Sequence, residues 1–561
     1  MKNCIWRWAG RGDGRSRSGR AADLVLVAAQ FILAGLITGS LWGADGDGST
    51  PAPLDVLITG GTVYDGTGAD GVSADVGIAG DRITLVGRNS GQAAQRTIDA
   101  TGKIVCPGFI DLHTHSDEPI LAEKTRDNLS YATQGCTTIV TGNCGGGHVD
   151  VADFFHKVEQ GGSGANVAHL VPHGSVRQRA MGGSYNRPPT AEELRRMREI
   201  TAAGMRAGAI GMSTGLIYIP GMYATTDEIV AIAKIVSDHS GIYATHLRSE
   251  STGLLTAVQE ALEIGQRAAC PVHISHFKAS TPPAWGKVKD ACALVETARG
   301  RGEQVTADQY PYIASSTSLN ATLLPDWARE GTAKDLLRRI EDPADGPKLR
   351  GAVDQAFATR GGADKIQIAS FAKQPAWNGM TIQAITNATG QPPADVVLDI
   401  LRRGGASVVS FSMCEEDVEY VMQRDFVATA SDGSSKRPDG SMPHPRSYGT
   451  FPRKIGRYAY ERKVVSLAHA IRSATSLPAA VLGMTDRGTI AVGQFADVVV
   501  FDPRQLRDAA TFERPHQYST GVEWLFVNGV ATIAAGQPTH ALPGRVVRNP
   551  RLPHTLPAAQ P

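Results

Sequence analysis

The sequence lacks a cysteine framework. Its seven cysteines, at positions 4, 106, 136, 144, 270, 292 and 414, are odd in number and keep no paired spacing. Several sit in apolar runs, where free buried thiols are common, so a disulfide-stapled fold is not expected. Charge bias is also missing. Lys+Arg total 56 against 55 Asp+Glu, a net +1, which gives neither the basic field that nucleic acid needs nor an acidic tail. No heptad, Gly-X-Y period or internal repeat is found, and no Walker or GxGxxG motif of weight. What is present is a large supply of core: 42% hydrophobic residues with 20% charged. Glycine, at 62 of 561 residues, exceeds the typical ~7% and implies many tight turns or close backbone approaches. At ~100–200 residues per domain the chain holds three or four domains, or one large barrel with attachments.

Residues 1–22 carry Lys2, Arg7, Arg11, Arg15, Arg17 and Arg20, and an apolar run from Ala22 to Ala44 follows. Basic, then apolar, then small residues is the order of a secretory signal. No Arg-Arg pair marks a twin-arginine signal, and no Cys follows the run to carry a lipid. The run is long for a signal core and nearly long enough to span a bilayer. Gln30 and the late small residues favour cleavage near Ser40 or Ala44. The expectation is export to the periplasm or outside, with an uncleaved membrane anchor as the main alternative. A misassigned start upstream of a cytosolic enzyme is the bland one.

Short strands with turn punctuation occupy both flanks, in DVLITGG, TVYDGTG and ADVGIAGDRITLVG near the start and GTIAVGQFADVVVFD and VEWLFVNGVATIAAG near the end. Between them, apolar strands alternate with helical segments, which predicts βα units around a parallel sheet. Eight strands can be counted: 109–115, 137–144, 166–173, 209–216, 242–248, 272–278, 304–312 and 426–433. Seven carry polar or metal-capable residues at the C-terminal end, and the fourth ends in Ser and Thr. Active sites of (β/α)8 barrels are built there. The stretch 313–425 reads as an inserted helical subdomain.

The chemistry concentrates at those strand ends. His113 and His115, two apart in PGFIDLHTHSD, point to one side of a strand and can share a metal. Cys144 in TGNCGGG follows an apolar strand and precedes three glycines; a mixed Cys/His set suits zinc. His246 in YATHLRSE and His276 in HISHFK each end a strand. Asp432 in ATASDGS ends the eighth and can shuttle a proton from an attacking water to a leaving amine. Taken singly, the HxH pair, the cysteine and the SDG turn have bland readings: solvated loop, buried thiol, tight turn. Their joint placement points to metal-assisted hydrolysis of a C–N or ester bond. His273, two residues before His276 and one pleat deeper, reads as structural, and His169, His173 and His148 are candidates of lower rank.

At these residues the sequence resembles the amidohydrolase superfamily, and within it the N-acyl-D-amino-acid deacylase (D-aminoacylase) family. The matching words run from Leu54 to Val547: GGTVYDGTG, PGFIDLHTHSD, GCTTIVTGNCG, GAIGMSTGLIYIPGMYATTDEI, GIYATHLRSE, ISHFK, DQYPY, SDG, HPRSYGTFPR and GQFADVVVFDP. The resemblance implies an α/β fold: a (β/α)8 barrel over 107–485 and a small β-sandwich domain made from both chain ends, 51–106 and 486–547. Residues 1–50 precede it and 548–561 form a tail. It implies one tightly held zinc on Cys144, His246 and His276, and a second, weaker position at His113, His115 and Asp432 that Cys144 can bridge. The carboxylated Lys that many superfamily members place on strand four is absent from AIGMSTGL. It further implies Asp432 as catalytic acid/base, and Lys278, Tyr310, Ser316 and Arg446 as holders of the substrate carboxylate. Arg presents a fork and Lys a point charge to such a group. The substrate expected is a small N-acyl-D-amino acid, cleaved to a carboxylate and a free D-amino acid. Neither nucleic acid nor a membrane beyond the N-terminal anchor is expected as a partner, and oligomeric state is left open. Alternatives are an exported D-residue dipeptidase, a cyclic-amide hydrolase of dihydroorotase or hydantoinase type, and a non-catalytic barrel. The loop GSSKRPDGSMPHP between Asp432 and Arg446 is longer than in the archetypal enzymes, so side-chain preference does not carry over.

Overall fold

A computed structural model describes residues 53–89 and 91–552. The export or anchor segment read in residues 1–50 lies outside the described residues, as does the end of the 548–561 tail. Five strands open the fold: β1 (Leu54–Val63), β2 (Val72–Ala79), β3 (Arg82–Gly87), β4 (Ala94–Asp99) and β5 (Ile104–Pro107). Seven barrel strands follow: β6 (Phe109–Asp111), β7 (Cys136–Thr141), β8 (Asn166–Pro172), β9 (Gly211–Gly215), β10 (Ile242–His246), β11 (Val272–Ile274) and β12 (Val305–Gln309). An inserted sheet holds β13 (Ser315–Ser318), β14 (Ile366–Ser370) and β15 (Ser407–Ser410). The eighth barrel strand is β16 (Val427–Thr429), and β17 (Val498–Phe501), β18 (Val522–Val527), β19 (Val530–Ala534) and β20 (Gln537–Pro538) complete the chain.

The barrel is all parallel, in the order β16-β12-β11-β10-β9-β8-β7-β6, and corresponds strand for strand to the eight read in the sequence. Its open side is closed by the Thr114–Gly433 bridge, with Asp432 N donating to His113 O and His115 N to Gly433 O. Ile110, Val140, Ala168, Ala244 and Ala428 share one buried cluster inside the barrel. Crossover helices cover its outside. The helix Ala191–Arg206 shows why they form: Thr190 and Glu193 make a capping box, and Met197, Thr201 and Met205 recur on the buried face.

Both chain ends build a single nine-stranded sheet, in which β17 pairs with β5 and β18 with β17. Its core draws Ile58, Val76 and Ile83 from one end and Val498, Val500 and Phe526 from the other. This is the sandwich-like domain beside the barrel. The insertion is not purely helical: it carries the antiparallel sheet β13-β15-β14. Its strands are only four or five residues long, too short for a period-2 pattern to stand out from the helices around them. It owns a separate core, including Leu349, Val353, Ile368, Val397 and Ile400. Among the described residues no helix is long and apolar enough to cross a membrane.

Candidate metal centre and substrate cleft

The six residues singled out as metal ligands converge at the C-terminal end of the barrel. Cys144 Sγ lies 3.3 Å from His113 Nε2, 3.8 Å from His246 Nδ1 and 3.7 Å from His276 Nε2. Asp432 Oδ1 is 3.0 Å from His115 Nε2 and 3.4 Å from His113 Nε2. Two overlapping donor groups result, His113–His115–Cys144–Asp432 and Cys144–His246–His276, each with its donor atoms within 4.8 Å of one another. Around a tetrahedral ion with Zn–S of ~2.3 Å and Zn–N of ~2.0–2.1 Å, sulfur and nitrogen stand about 3.5 Å apart. The Cys144 separations bracket that value, so the donors fit the zinc that their chemistry suggests.

The backbone is bent to bring them there. Cys144, His276 and Asp432 all adopt positive φ, at 52°, 38° and 50°. Non-glycine residues pay for that conformation, and such strain gathers at functional sites. Glycines make room around them. A Cβ on Gly215 would stand 2.1 Å from Cys144 O, and one on Gly142 2.1 Å from Leu170 O.

Carboxylates behind the ligands set their orientation. Asp308, on β12, lies 3.3 Å from His113 Nδ1 and 2.9 Å from His273 Nε2, and accepts from the His276 backbone N–H at 2.7 Å. Glu250 Oε1 lies 2.8 Å from His276 Nδ1 and 2.5 Å from Lys278 Nζ. These outer contacts turn the other ring nitrogens of His113 and His276 toward Cys144. Asp111 accepts from the backbone N–H of both His113 and Ser431, fastening β6 to the residues after β16, and burial pushes its carboxyl up to about 7.

Charge inside the site is mutually supported. Burial opposes ionisation of Cys144, yet the imidazoles of His113, His115 and His246 hold its thiol well below the usual range. Burial likewise opposes the Asp432 carboxylate, but Arg446 and His113 keep it ionised, well below its ordinary value.

The cleft beside the ligands encloses about 520 Å³ and is lined by His246, His276, Lys278, Tyr310, Ser316 and Asp432, among others. Three of the four residues expected to hold the substrate carboxylate line this cleft, and the fourth, Arg446, contacts Asp432, but two of the four are already engaged. Arg446 Nη1 lies 2.6 Å from Asp432 Oδ2, and its Nη2 donates to Ser316 O at 3.2 Å. Lys278 is held by Glu250. Tyr310 lies beneath both cations, its ring 4.9 Å from the Arg446 guanidinium and 5.7 Å from Lys278 Nζ. The lower-ranked histidines are structural: His173 lies against Glu228 and His169 against Thr141. His273 has more consequence than its depth suggested, because it shares Asp308 with His113.

Sequence reading missed Asp308 and Glu250. Asp308 lies inside the DQYPY word, where an acid within a predicted barrel strand was the available signal. Glu250 follows His246 by four residues on a loop and carries no such signal.

The family comparison meets this geometry directly. The amidohydrolase family profile matches residues 96–540. The chain belongs to the amidohydrolase family. It is 34% identical to a D-aminoacylase of Alcaligenes xylosoxydans xylosoxydans over 508 residues, 86% of this chain and 95% of that one. It is 35% identical to the N-acyl-D-glutamate deacylase of the same organism, over 88% of this chain and 96% of that one. A crystal structure of N-acyl-D-glutamate deacylase from Bordetella bronchiseptica, complexed with zinc and a phosphonate mimic of the tetrahedral intermediate, superposes with a TM-score of 0.76 at 32% identity. It covers 88% of this chain and all of that one.

Proposed function

We propose that this amidohydrolase is a zinc-dependent N-acyl-D-amino-acid deacylase, which hydrolyses the amide to a carboxylate and a free D-amino acid. One observation carries the reading: Cys144 stands among three imidazoles while Asp432, ionised, borders both the donor set and the cleft. Cys144, His246 and His276 would hold the tight zinc, and His113, His115 and Asp432, with Cys144 between, a weaker second ion. When bound, zinc supplies Lewis acidity that polarises the scissile carbonyl and brings the pKa of water toward neutrality. Asp432 then accepts a proton from the attacking water at its carboxylate and returns it to the leaving nitrogen. Lys278, Tyr310, Ser316 and Arg446 orient the substrate through its carboxylate. Because Arg446 is paired with Asp432, carboxylate binding draws on its remaining N–H groups and couples substrate capture to the acid/base. The β9 strand, GMSTG, offers no lysine for the carbamate-bridged arrangement of cyclic-amide hydrolases, which favours the linear amide.

The test is release of free amino acid from matched N-acetyl-D and N-acetyl-L substrates by zinc-loaded protein. Release from the D series alone is expected. Release from neither series rejects the reading and moves the choice to D-residue peptides or cyclic amides. Export to the periplasm or beyond remains our reading of the basic and apolar residues at the N-terminus; amino-terminal sequencing of the mature protein from cell fractions checks it.

A further inference from the structure

Among the residues lining the 520 Å³ cleft are four cations: Arg248, Lys278, Arg329 and Arg360. Three have acidic partners. Arg248 is bound to Glu260 at 2.9 Å, Lys278 to Glu250 at 2.5 Å and Arg329 to Asp326 at 2.6 Å. Arg248 also donates to the backbone carbonyls of Met222 and Ala224, and Arg329 to that of Ile217, although the Arg329 Nε is, like that of Arg360, buried without a hydrogen-bond partner among the described residues. Among the described residues the Arg360 guanidinium has no ion pair and no hydrogen bond. Its Nε is sealed from solvent and unpartnered, and burial holds its guanidinium below the usual range.

Placement makes this cation useful. Arg360 ends the helix Asp345–Arg360 of the inserted subdomain, just before Gly361 at φ 89°. An arginine there gains from the helix dipole wherever it points, so the dipole does not require it to face the cleft. The insertion thus delivers an unspent planar donor fork to the cavity that also holds His246, His276 and Asp432. A partly desolvated guanidinium without a counter-charge is costly unless a ligand supplies one.

We propose that Arg360 receives a second acidic group on the substrate, the side-chain carboxylate of an acidic N-acyl-D-amino acid, and so sets a preference for acidic over neutral side chains. The inference rests on the deacylase reading above. The α-carboxylate is served by Lys278, Tyr310, Ser316 and Arg446, and the side-chain carboxylate pairs with Arg360 from the inserted helix. A site built for a charged group rejects the neutral isostere, because the guanidinium is then left unpaired.

The test compares N-acetyl-D-glutamate and N-acetyl-D-aspartate with N-acetyl-D-glutamine, the neutral isostere of the first, on zinc-loaded wild type, Arg360→Gln and Arg360→Lys. The expected result is a wild-type preference for glutamate or aspartate. Arg360→Gln should lower kcat/KM for the preferred acid on the order of 100-fold, chiefly through KM, as for loss of one partner of a desolvated charge pair. Glutamine turnover should be unchanged, and Arg360→Lys should recover part of the loss. Equal wild-type use of acid and amide, or an equal fall for both in Arg360→Gln, overturns the inference and leaves the deacylase reading standing. No hydrolysis of any D-substrate, with neutral side chains included, overturns both.

Discussion

At the scale of single residues, the site separates groups that do chemistry from groups that hold them. Asp432→Asn keeps the shape of the side chain and removes its basicity. It should lower turnover by roughly 10²–10⁴-fold while the metal on Cys144, His246 and His276 is retained, with elemental analysis and steady-state rates as the two readouts. Full activity in that variant would reassign the acid/base. Glu250→Gln tests orientation instead. The carboxylate contacts both His276 Nδ1 and Lys278 Nζ, so its loss should weaken zinc binding by roughly 10–100-fold, measured by chelator competition with the fold unchanged by circular dichroism. Wild-type zinc affinity would reduce Glu250 to a counter-ion for Lys278. The six candidate ligands, which the fold brings together, were legible in the sequence because each ends an apolar run. Glu250 was not, since an acid on a loop ordinarily reads as solvated. Nor was the pairing of Arg446 with Asp432, which needs the long loop between them to fold back.

At the scale of elements, the βα alternation and the eight strand ends could be read because apolar runs stop where polar residues begin. The inserted sheet could not, its strands being four or five residues long. Close packing of strand ends was only hinted at by the glycine excess. Gly215 shows what that excess is for: it closes β9, and the carbonyl of Cys144 fills the space where a side chain would start. Gly215→Ala should destabilise the protein by about 1–3 kcal/mol, as overpacking in a filled interior does, and displace Cys144. Denaturant unfolding and zinc content together check this; an unchanged midpoint with full zinc would show that the strand end yields.

At the scale of the whole molecule, one buried charge opposes folding. Lys454 is almost fully buried, and its Nζ donates to Met422 O at 3.2 Å with no acid in contact among the described residues. Burial pushes its pKa down to about 7, against about 10.4 in an unfolded chain. Between those values the unfolded chain binds the proton more strongly, so this group's contribution to stability rises with pH from about 7 to about 10 and is flat below. Lys454→Met should flatten that rise and raise the denaturation midpoint at pH 7. Equal midpoint shifts at pH 7 and pH 9 would contradict the assignment. The two strand-rich flanks were visible in the sequence, but their union in one sheet was implied only by the family resemblance, and the register that joins β5 to β17 was not visible at all, because pairing across so long a separation leaves no local trace. The same separation governs the barrel seam. Its first and last strands meet through the backbone of His113, His115, Asp432 and Gly433, so the stitch that shuts the cylinder is also the frame of the reaction centre. A slip of one residue there would part the acid from the imidazoles before a single apolar core side chain met water. Catalysis is then the most sensitive gauge of closure, and any ligand spanning His113 and Asp432 acts as a rivet on the fold.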